Sequence, residues 1–218
     1  MCGAPVLLES PPAESPQGFA AAIGATPAQM ADMERYRLLL EDWNGRLNLV
    51  GPSAMAAFWS RHALDSAQLI RLAPEARRWA DLGTGAGLPG VVLAILLKDR
   101  PGAEVHLVES LAKRCRFLSE VVSELELPAR VHNARAEDVK IEVEVVTARA
   151  VAALPKLLGF AEPWLRRGAR GLFLKGQAAE AELAEARAAG WLLDASLFES
   201  LSDPDGRIVD IRSAKRGR

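Results

Sequence analysis

The stretch Trp79-Ala80-Asp81-Leu82-Gly83-Thr84-Gly85-Ala86-Gly87-Leu88-Pro89-Gly90 runs a short apolar strand into a glycine-rich turn, and the apolar run Val91-Val92-Leu93-Ala94-Ile95-Leu96-Leu97 follows as a helix. Such a unit opens a nucleotide-binding sheet. Its glycines let the backbone take positive φ and approach a ligand closely, and the free N–H groups of the next helix favour an anion. The spacing Gly85-x-Gly87-x-x-Gly90 also fits the dinucleotide fingerprint, with Glu109, 22 residues beyond Gly87, as the ribose acid. Asp81 separates the readings. A fixed carboxylate at the strand end repels a diphosphate but suits an ammonium or a sulfonium. S-adenosylmethionine carries both of those cations and no phosphate, so it is the expected cofactor. Gly83 then passes under the methionine portion, and Glu109, closing a strand from Glu104, accepts the ribose hydroxyls. NAD, and a glycine turn that only packs strand on helix, are the alternatives.

Half of the 218 residues are hydrophobic, enough for one good core, and the length favours one domain with an appendage over two full domains. The formal net charge of −1 leaves no global basic footprint, so nucleic-acid binding must come from a local patch. Cys2 and Cys115 are the only cysteines, which excludes a disulfide framework and a four-thiolate zinc site and argues against secretion. His62, His106 and His132 are scattered, with no pair at metal-ligand spacing, and no metal is expected. No run approaches the roughly 18 apolar residues of a membrane span, and the start lacks a basic segment followed by an apolar one. A cytoplasmic protein is expected.

Residues 1–25 hold Pro5, Pro11, Pro12 and Pro16 among small and polar residues, without apolar period, and read as a disordered tail. Thr26-Pro27-Ala28-Gln29 supplies an N-cap, a first-turn proline and a capping-box glutamine. Met33, Tyr36, Leu40, Trp43 and Leu47 then follow at helical steps. A second helix starts near Ser53, carries Phe58, Arg61, His62, Asp65 and Ser66, and stops before Pro74. These helices, within 26–74, are expected to cap an α/β core over 75–218. There the patterns alternate: strand 78–82, helix 88–98, strand 104–109, helix 111–125, strand 129–133, strand 143–148, helix 151–166, strand 171–175, helix 178–189, and strands 191–200 and 207–213. Alternation implies a mostly parallel sheet covered on both faces. Asp203-Pro204-Asp205-Gly206 marks a closing hairpin, so one of the last two strands is expected to run antiparallel. A seven-stranded parallel sheet ending in such a hairpin is the methyltransferase version of the doubly wound, Rossmann-like fold.

His62, Asp65 and Ser66 superficially suggest a hydrolase. All three share one helix, which supplies neither a nucleophile elbow nor an oxyanion hole, so the set reads as a polar lock for the cap or as a substrate or cofactor contact. Lys113, Arg114 and Arg116 stand in the first turns of a helix, where cations oppose the dipole at about 0.3–1 kcal/mol each. An RNA phosphate patch offsets that cost, and the bland alternative is a solvated face with Arg116 paired to Glu120. Arg135, Arg149 and Lys175 each follow a strand's C-terminal end, the side on which open α/β sheets bind ligands, and suggest an anionic polymer near the transferable methyl group. Their bland alternative is pairing to carboxylates such as Glu137 and Glu162. Thr147-Ala148-Arg149-Ala150 stands where methyltransferases of exocyclic amines carry an Asn/Asp-Pro-Pro-aromatic element, and no cysteine is there for covalent pyrimidine chemistry.

Taken together, the motifs Trp43-Asn44 with Asn48-Leu49, Arg61-His62-Ala63-Leu64-Asp65-Ser66, Asp81 to Gly90, Ser110-Leu111-Ala112-Lys113-Arg114 with Arg116-Phe117-Leu118, Arg149-Ala150 and Leu174-Lys175-Gly176-Gln177 stand in one order over residues 26 to 213. The sequence resembles the ribosomal RNA small subunit methyltransferase G family, also called glucose-inhibited division protein B. The resemblance implies transfer of a methyl group from S-adenosylmethionine to guanine N7 of bacterial 16S ribosomal RNA, by a monomer. It implies that Asp81, Gly83, Gly85, Gly87, Leu88, Glu109 and Ser110 serve the cofactor, that Ala136 and Glu137 lie along the adenine, and that Arg149 approaches from the fourth strand. His62, Asp65, Lys113, Arg114, Arg135 and Lys175 fall on the RNA side, with Arg149 and Lys175 at the transferring methyl. Glu109 departs from the Asp of many relatives, and the resemblance leaves the segment before Thr26 unexplained. An NAD-dependent oxidoreductase and a non-catalytic RNA-binding module are the other function classes. The former lacks a Tyr-x-x-x-Lys, since the single tyrosine is Tyr36.

Overall fold

The computed structural model describes residues 14–51 and 55–217. Helix α1 (Pro16–Ile23) is capped by Ser15, whose hydroxyl accepts from the Gly18 amide at 3.0 Å, and it ends at Gly24 with φ 69°. It buries Phe19 fully, with its ring centroid 5.4 Å from that of Trp59. The disordered reading of 1–25 is therefore corrected for this part: a cap and one aromatic that reaches a core built by distant residues replace the missing apolar period. Residues 1–13 of that tail lie outside the described residues.

Helix α2 (Pro27–Leu47) starts on the expected capping box, with the Thr26 hydroxyl accepting from the Gln29 amide at 3.2 Å and the Gln29 side chain accepting from the Thr26 amide at 2.9 Å. The Gln29 side chain also donates to the Leu96 carbonyl, which ties the helix start to the core. Met33, Tyr36, Leu39 and Leu40 are buried. A π-helical segment (Phe58–Leu64) continues through two short α-helical ones (Asp65–Ala67 and Leu69–Leu72), and this run is α3. Its expected start near Ser53 lies outside the described residues. Wide π turns are rare and recur at functional sites; this one carries Arg61 and His62 and leads into Asp65.

The remaining elements are β1 (Arg78–Leu82), α4 (Gly90–Leu97), β2 (Glu104–Glu109), α5 (Ala112–Glu124), β3 (Ala129–Asn133), β4 (Val145–Arg149), α6 (Leu154–Leu165), β5 (Arg170–Lys175), α7 (Ala179–Ala188), β6 (Trp191–Glu199) and β7 (Arg207–Arg216). The sheet order is β3-β2-β1-β4-β5-β7-β6. Strands β1 to β5 pair in parallel, and β7 is antiparallel to both of its neighbours. Helix α4 is apolar on every side and, Leu96 apart, buried, as such a helix must be. One apolar layer, including Phe19, Tyr36, Phe58, Leu93 and Phe117, packs α1 to α5 on one face. A second, including Leu158, Trp164, Leu183 and Trp191, packs α6 and α7 on the other. The chain leaves β1 on one side and returns at β4 on the other, and this reversal is where a doubly wound sheet opens a crevice at its C-terminal rim. No helix of the described residues is long and apolar enough to cross a membrane.

Candidate active site

At the rim of β1, Gly83 turns the chain with φ 64°. A Cβ there would meet the Val151 side chain at 2.8 Å, so glycine is required both for the turn and for the loop that crosses it. Asp81 stands at the strand end beside the turn, as the sequence indicates, and it lies inside the protein. It is fully buried, and its Oδ2 accepts from the Thr84 hydroxyl at 2.5 Å and from the Gly90 amide at 2.8 Å. A Cβ on Gly90 would lie 2.8 Å from that oxygen, so only glycine lets the first turn of α4 close on the carboxylate. The other oxygen, Oδ1, has no hydrogen-bond partner among the described residues. Burial pushes Asp81 up to about 7, against the lowering effect of Thr84, Gly90 and the Arg149 charge. Tyr36, the single tyrosine, donates to the Ala86 carbonyl at 2.7 Å and so braces the same turn from α2.

Glu109 ends β2 and is also buried. Its Oε2 accepts from the Gly85 amide at 3.1 Å, its Oε1 accepts from the Leu111 amide at 2.8 Å, and Arg114 Nη1 stands 3.5 Å away. The acid thus clamps the glycine turn to the start of α5, while each oxygen keeps a further lone pair. Arg114 finds in Glu109 the partner that offsets its place against the helix dipole. Lys113 and Arg116 are exposed. The pairing of Arg116 with Glu120 does not form; Glu120 instead accepts from the Trp43 indole at 3.0 Å. Gly87 and Leu88 are buried in the turn, Ser110 is exposed beside it, and half-buried Ala136 and exposed Glu137 lie in a 3-10 turn (Ala136–Asp138) beyond β3.

A cleft of about 690 Å³ opens beside this turn over β4 and β5. Arg61, His62 and Asp65 of α3 form one wall, Arg149 to Ala153 the floor, and Lys175, Glu182, Ser202 and Asp203 the far side. Ala150 holds φ 54°, a strained conformation for a residue with a Cβ and one that recurs at functional sites. Arg149 Nη1 donates to the Arg61 carbonyl at 3.1 Å and to His62 Nδ1 at 3.0 Å, and it stands 3.5 Å from Asp65 Oδ2. Asp65 Oδ1 accepts from Gln68, Ser200 and Ser202 at 3.0, 3.3 and 2.9 Å, which ties the β6–β7 hairpin to α3. Lys175 Nζ pairs with Glu182 Oε2 and donates to the Ala152 carbonyl, both at 2.6 Å, and the same Glu182 oxygen accepts from the Leu154 amide at 2.6 Å. Burial, then the Arg149 charge, lower His62 to about 4.

The structure therefore brings His62, Asp65, Arg149 and Lys175 into one cleft, with Asp81, Gly83, Gly85 and Glu109 in the adjoining turn. Arg135 follows β3, three strands from β4, about 14 Å at the usual strand spacing, and does not line the cleft. The carboxylates that hold Arg149 and Lys175 are Asp65 and Glu182, not the Glu137 and Glu162 named from sequence. Sequence alone does not single out Glu182, Ser200 or Ser202, and gives no bracing role to Tyr36, because the Glu182–Leu154, Ser200–Asp65, Ser202–Asp65 and Tyr36–Ala86 hydrogen bonds join distant segments. Ser66 is buried and donates to the His62 carbonyl at 2.7 Å, so it offers no nucleophile. His106 and His132 are not scattered: parallel pairing of β2 with β3 brings His106 Nδ1 within 2.9 Å of His132 Nε2, although no group of three or more metal-ligating side chains forms among the described residues.

The family model described as rRNA small subunit methyltransferase G matches residues 29–203. A ribosomal RNA small subunit methyltransferase G of Caulobacter vibrioides is 63% identical over 201 residues, covering 92% of this chain and 93% of the relative. One from Bradyrhizobium diazoefficiens is 49% identical over 190 residues, covering 85% and 72%. Among solved structures, an O-methyltransferase from Bacillus cereus in complex with SAH superposes with a TM-score of 0.60 at 15% identity, covering 90% of this chain and 96% of the other. The O-methyltransferase TomG from Streptomyces achromogenes does so with 0.55 at 14%, covering 89% and 94%. These two share the fold. With the match spanning most of its length, the chain belongs to the rRNA small subunit methyltransferase G family.

Proposed function

We propose that this chain methylates N7 of a guanine in 16S ribosomal RNA, free or in a small-subunit assembly intermediate, using S-adenosylmethionine. The observation that carries the cofactor reading is the buried Asp81, with one oxygen unpartnered among the described residues, near the exposed backbone of Gly83: an acceptor for an ammonium next to backbone that a ligand can approach. The residues fit the donor. Asp81 takes the ammonium, Gly83, Gly85, Gly87 and Leu88 form the turn below it, Glu109 and Ser110 face the ribose, Ala136 and Glu137 flank the adenine, and Arg149 meets the methionine end. When bound, the donor supplies an electrophilic methyl on a sulfonium.

Guanine N7 has an in-plane lone pair and no proton. The new N–C bond forms as the S–C bond breaks, the bonding pair stays on sulfur, and the positive charge passes to the purine. No general base is needed, and catalysis is positioning, which supplies up to about 7–11 kcal/mol in well-oriented reactions. Arg149 and Lys175 border the cleft and orient the base and its phosphate, with Asp65 and Glu182 holding them. Lys113, Arg114 and Arg135 extend a cationic track for RNA along the rim. The proposed state is a monomer acting in the cytoplasm, where its RNA substrate is. Residues 26–218 act as one domain, with 26–74 capping the 75–218 core. Incubating the protein with isotopically labelled S-adenosylmethionine and 16S RNA, then analysing nucleosides by mass spectrometry, is expected to give 7-methylguanosine. Label in another nucleoside, or none with either free RNA or assembly intermediates, overturns the reading.

A further inference from the structure

Only two buried side-chain nitrogen or oxygen atoms of the described residues lack a partner, His62 Nε2 and Asp81 Oδ1. Buried polar atoms without partners are rare, because desolvation is then left uncompensated. The roles of the two atoms follow from their neighbours. A guanidinium can only donate, so Arg149 Nη1, 3.0 Å from His62 Nδ1, makes that nitrogen the acceptor. In the neutral ring the hydrogen then sits on Nε2. Burial and the Arg149 charge keep the ring neutral, with its value lowered to about 4. His62 Nε2 is thus an idle donor and Asp81 Oδ1 an idle acceptor. Both belong to the same rim. Strand β4 pairs with β1, setting Asp81 against Thr147, two residues before Arg149, and Arg149 is the residue that His62 touches. An exposed phosphate is a poor match for His62, which is 7% exposed and was assigned to RNA from sequence alone.

We propose that His62 is a cofactor-binding residue whose Nε2–H donates to the α-carboxylate of the amino-acid end of the methyl donor, while Asp81 takes the ammonium of the same end. The inference rests on the methyl-donor reading above. The pair forms a zwitterion site, with acceptor and donor held apart by fixed backbone and the donor's tautomer set by Arg149. Arg149 keeps Nε and Nη2, which make no hydrogen bond among the described residues, to share the carboxylate, so its part here is both to orient His62 and to add charge.

The test compares binding of S-adenosylhomocysteine, its decarboxylated analogue (ammonium kept, carboxylate lost) and 5′-methylthioadenosine (both lost) by calorimetry. A His62→Phe protein is expected to lose about tenfold to a hundredfold for S-adenosylhomocysteine, the usual effect of truncating one side of a charge-assisted hydrogen bond. It should change less than about twofold for the other two ligands, and His62→Gln should recover part of the loss. Equal losses for all three ligands, or none for any with methylation of RNA alone impaired, overturn the assignment, the latter returning His62 to the RNA side. If His62→Phe does not fold, the wild-type protein decides. The imidazole Nε2–H signal of His62 should move on adding S-adenosylhomocysteine and stay on adding the decarboxylated analogue, and movement with both overturns the inference. A wild-type protein that binds none of the three, yet folds, fails the methyl-donor reading itself.

Discussion

Asp81 shows how one residue couples burial to ligand chemistry. Its ordinary value is 3.8, and burial raises it to about 7 in the folded protein. A raised carboxyl favours the protonated fold, so its contribution is full below about pH 4 and is lost as pH rises through about 7. An ammonium against Oδ1 reverses the preference and ionises the group. Calorimetry of S-adenosylhomocysteine near pH 6 should therefore show proton release approaching one, read from the dependence of the heat on buffer ionisation enthalpy. Asp81→Asn should abolish that release and flatten the fall in thermal stability between pH 4 and 7; binding without proton release sinks the ammonium assignment. At Arg149 and Lys175 the expected signature is kinetic. Alanine at either should lower single-turnover methylation tenfold or more, as lost transition-state contacts do. If methyl transfer to N7 needs no general base, as proposed, the wild-type rate at saturating substrates should stay nearly flat where carboxylates and histidines titrate. A steep acid limb removed by mutating a single carboxylate or histidine would instead identify an acceptor with a removable proton.

Among the elements, α1 and α5 carry the clearest expectations. Helix α1 is held by a Ser15 cap and by Phe19, which is fully buried. Phe19→Ala should cost about 3–5 kcal/mol in urea unfolding, the range for a truncated core aromatic, whereas a floppy segment would lose nothing. On α5 the cations divide by environment. Arg114 is engaged by Glu109, while Lys113 and Arg116 are exposed and make no ion pair among the described residues. If this face meets RNA phosphates, replacing Lys113 and Arg116 by alanine should reduce the slope of log K against log salt by about 1.4 to 1.8, at about 0.7 to 0.9 per contact. A slope equal to wild type returns the face to solvent. The turn after β1 joins both themes, because Glu109 fastens Gly85 and Leu111 at once. Glu109→Ala should weaken cofactor binding and also lower stability by about 1 kcal/mol, since the two amides that it releases are only partly buried.

At the scale of the whole molecule, the site is a product of topology. The reversal of strand order between β1 and β4 opens the crevice, the cap helices bring His62 and Asp65 to it, and the closing hairpin returns Ser200 and Ser202 to the same point. The sequence by itself determined the alternating architecture, the capping box at Thr26, the glycine turn after Asp81, the acid closing β2 and the hairpin around Asp203, because each is written in residues within a few positions of one another and in periods of 2 or 3.6. Family membership was legible for a related reason, since short motifs such as Arg61 to Ser66 and Leu174 to Gln177 keep their order along the chain. Only the tertiary structure decided that Asp81 is buried with one free oxygen, that Arg149 fixes the His62 tautomer, that Glu182 holds Lys175, that His106 meets His132 across β2 and β3, and that Phe19 orders a helix in a segment that reads as tail. Apart from the Lys175–Glu182 pair, which two consecutive elements bring together, these depend on packing against segments distant in sequence. Burial, electrostatic shift and hydrogen-bond satisfaction arise from such long-range contacts, which no local period records.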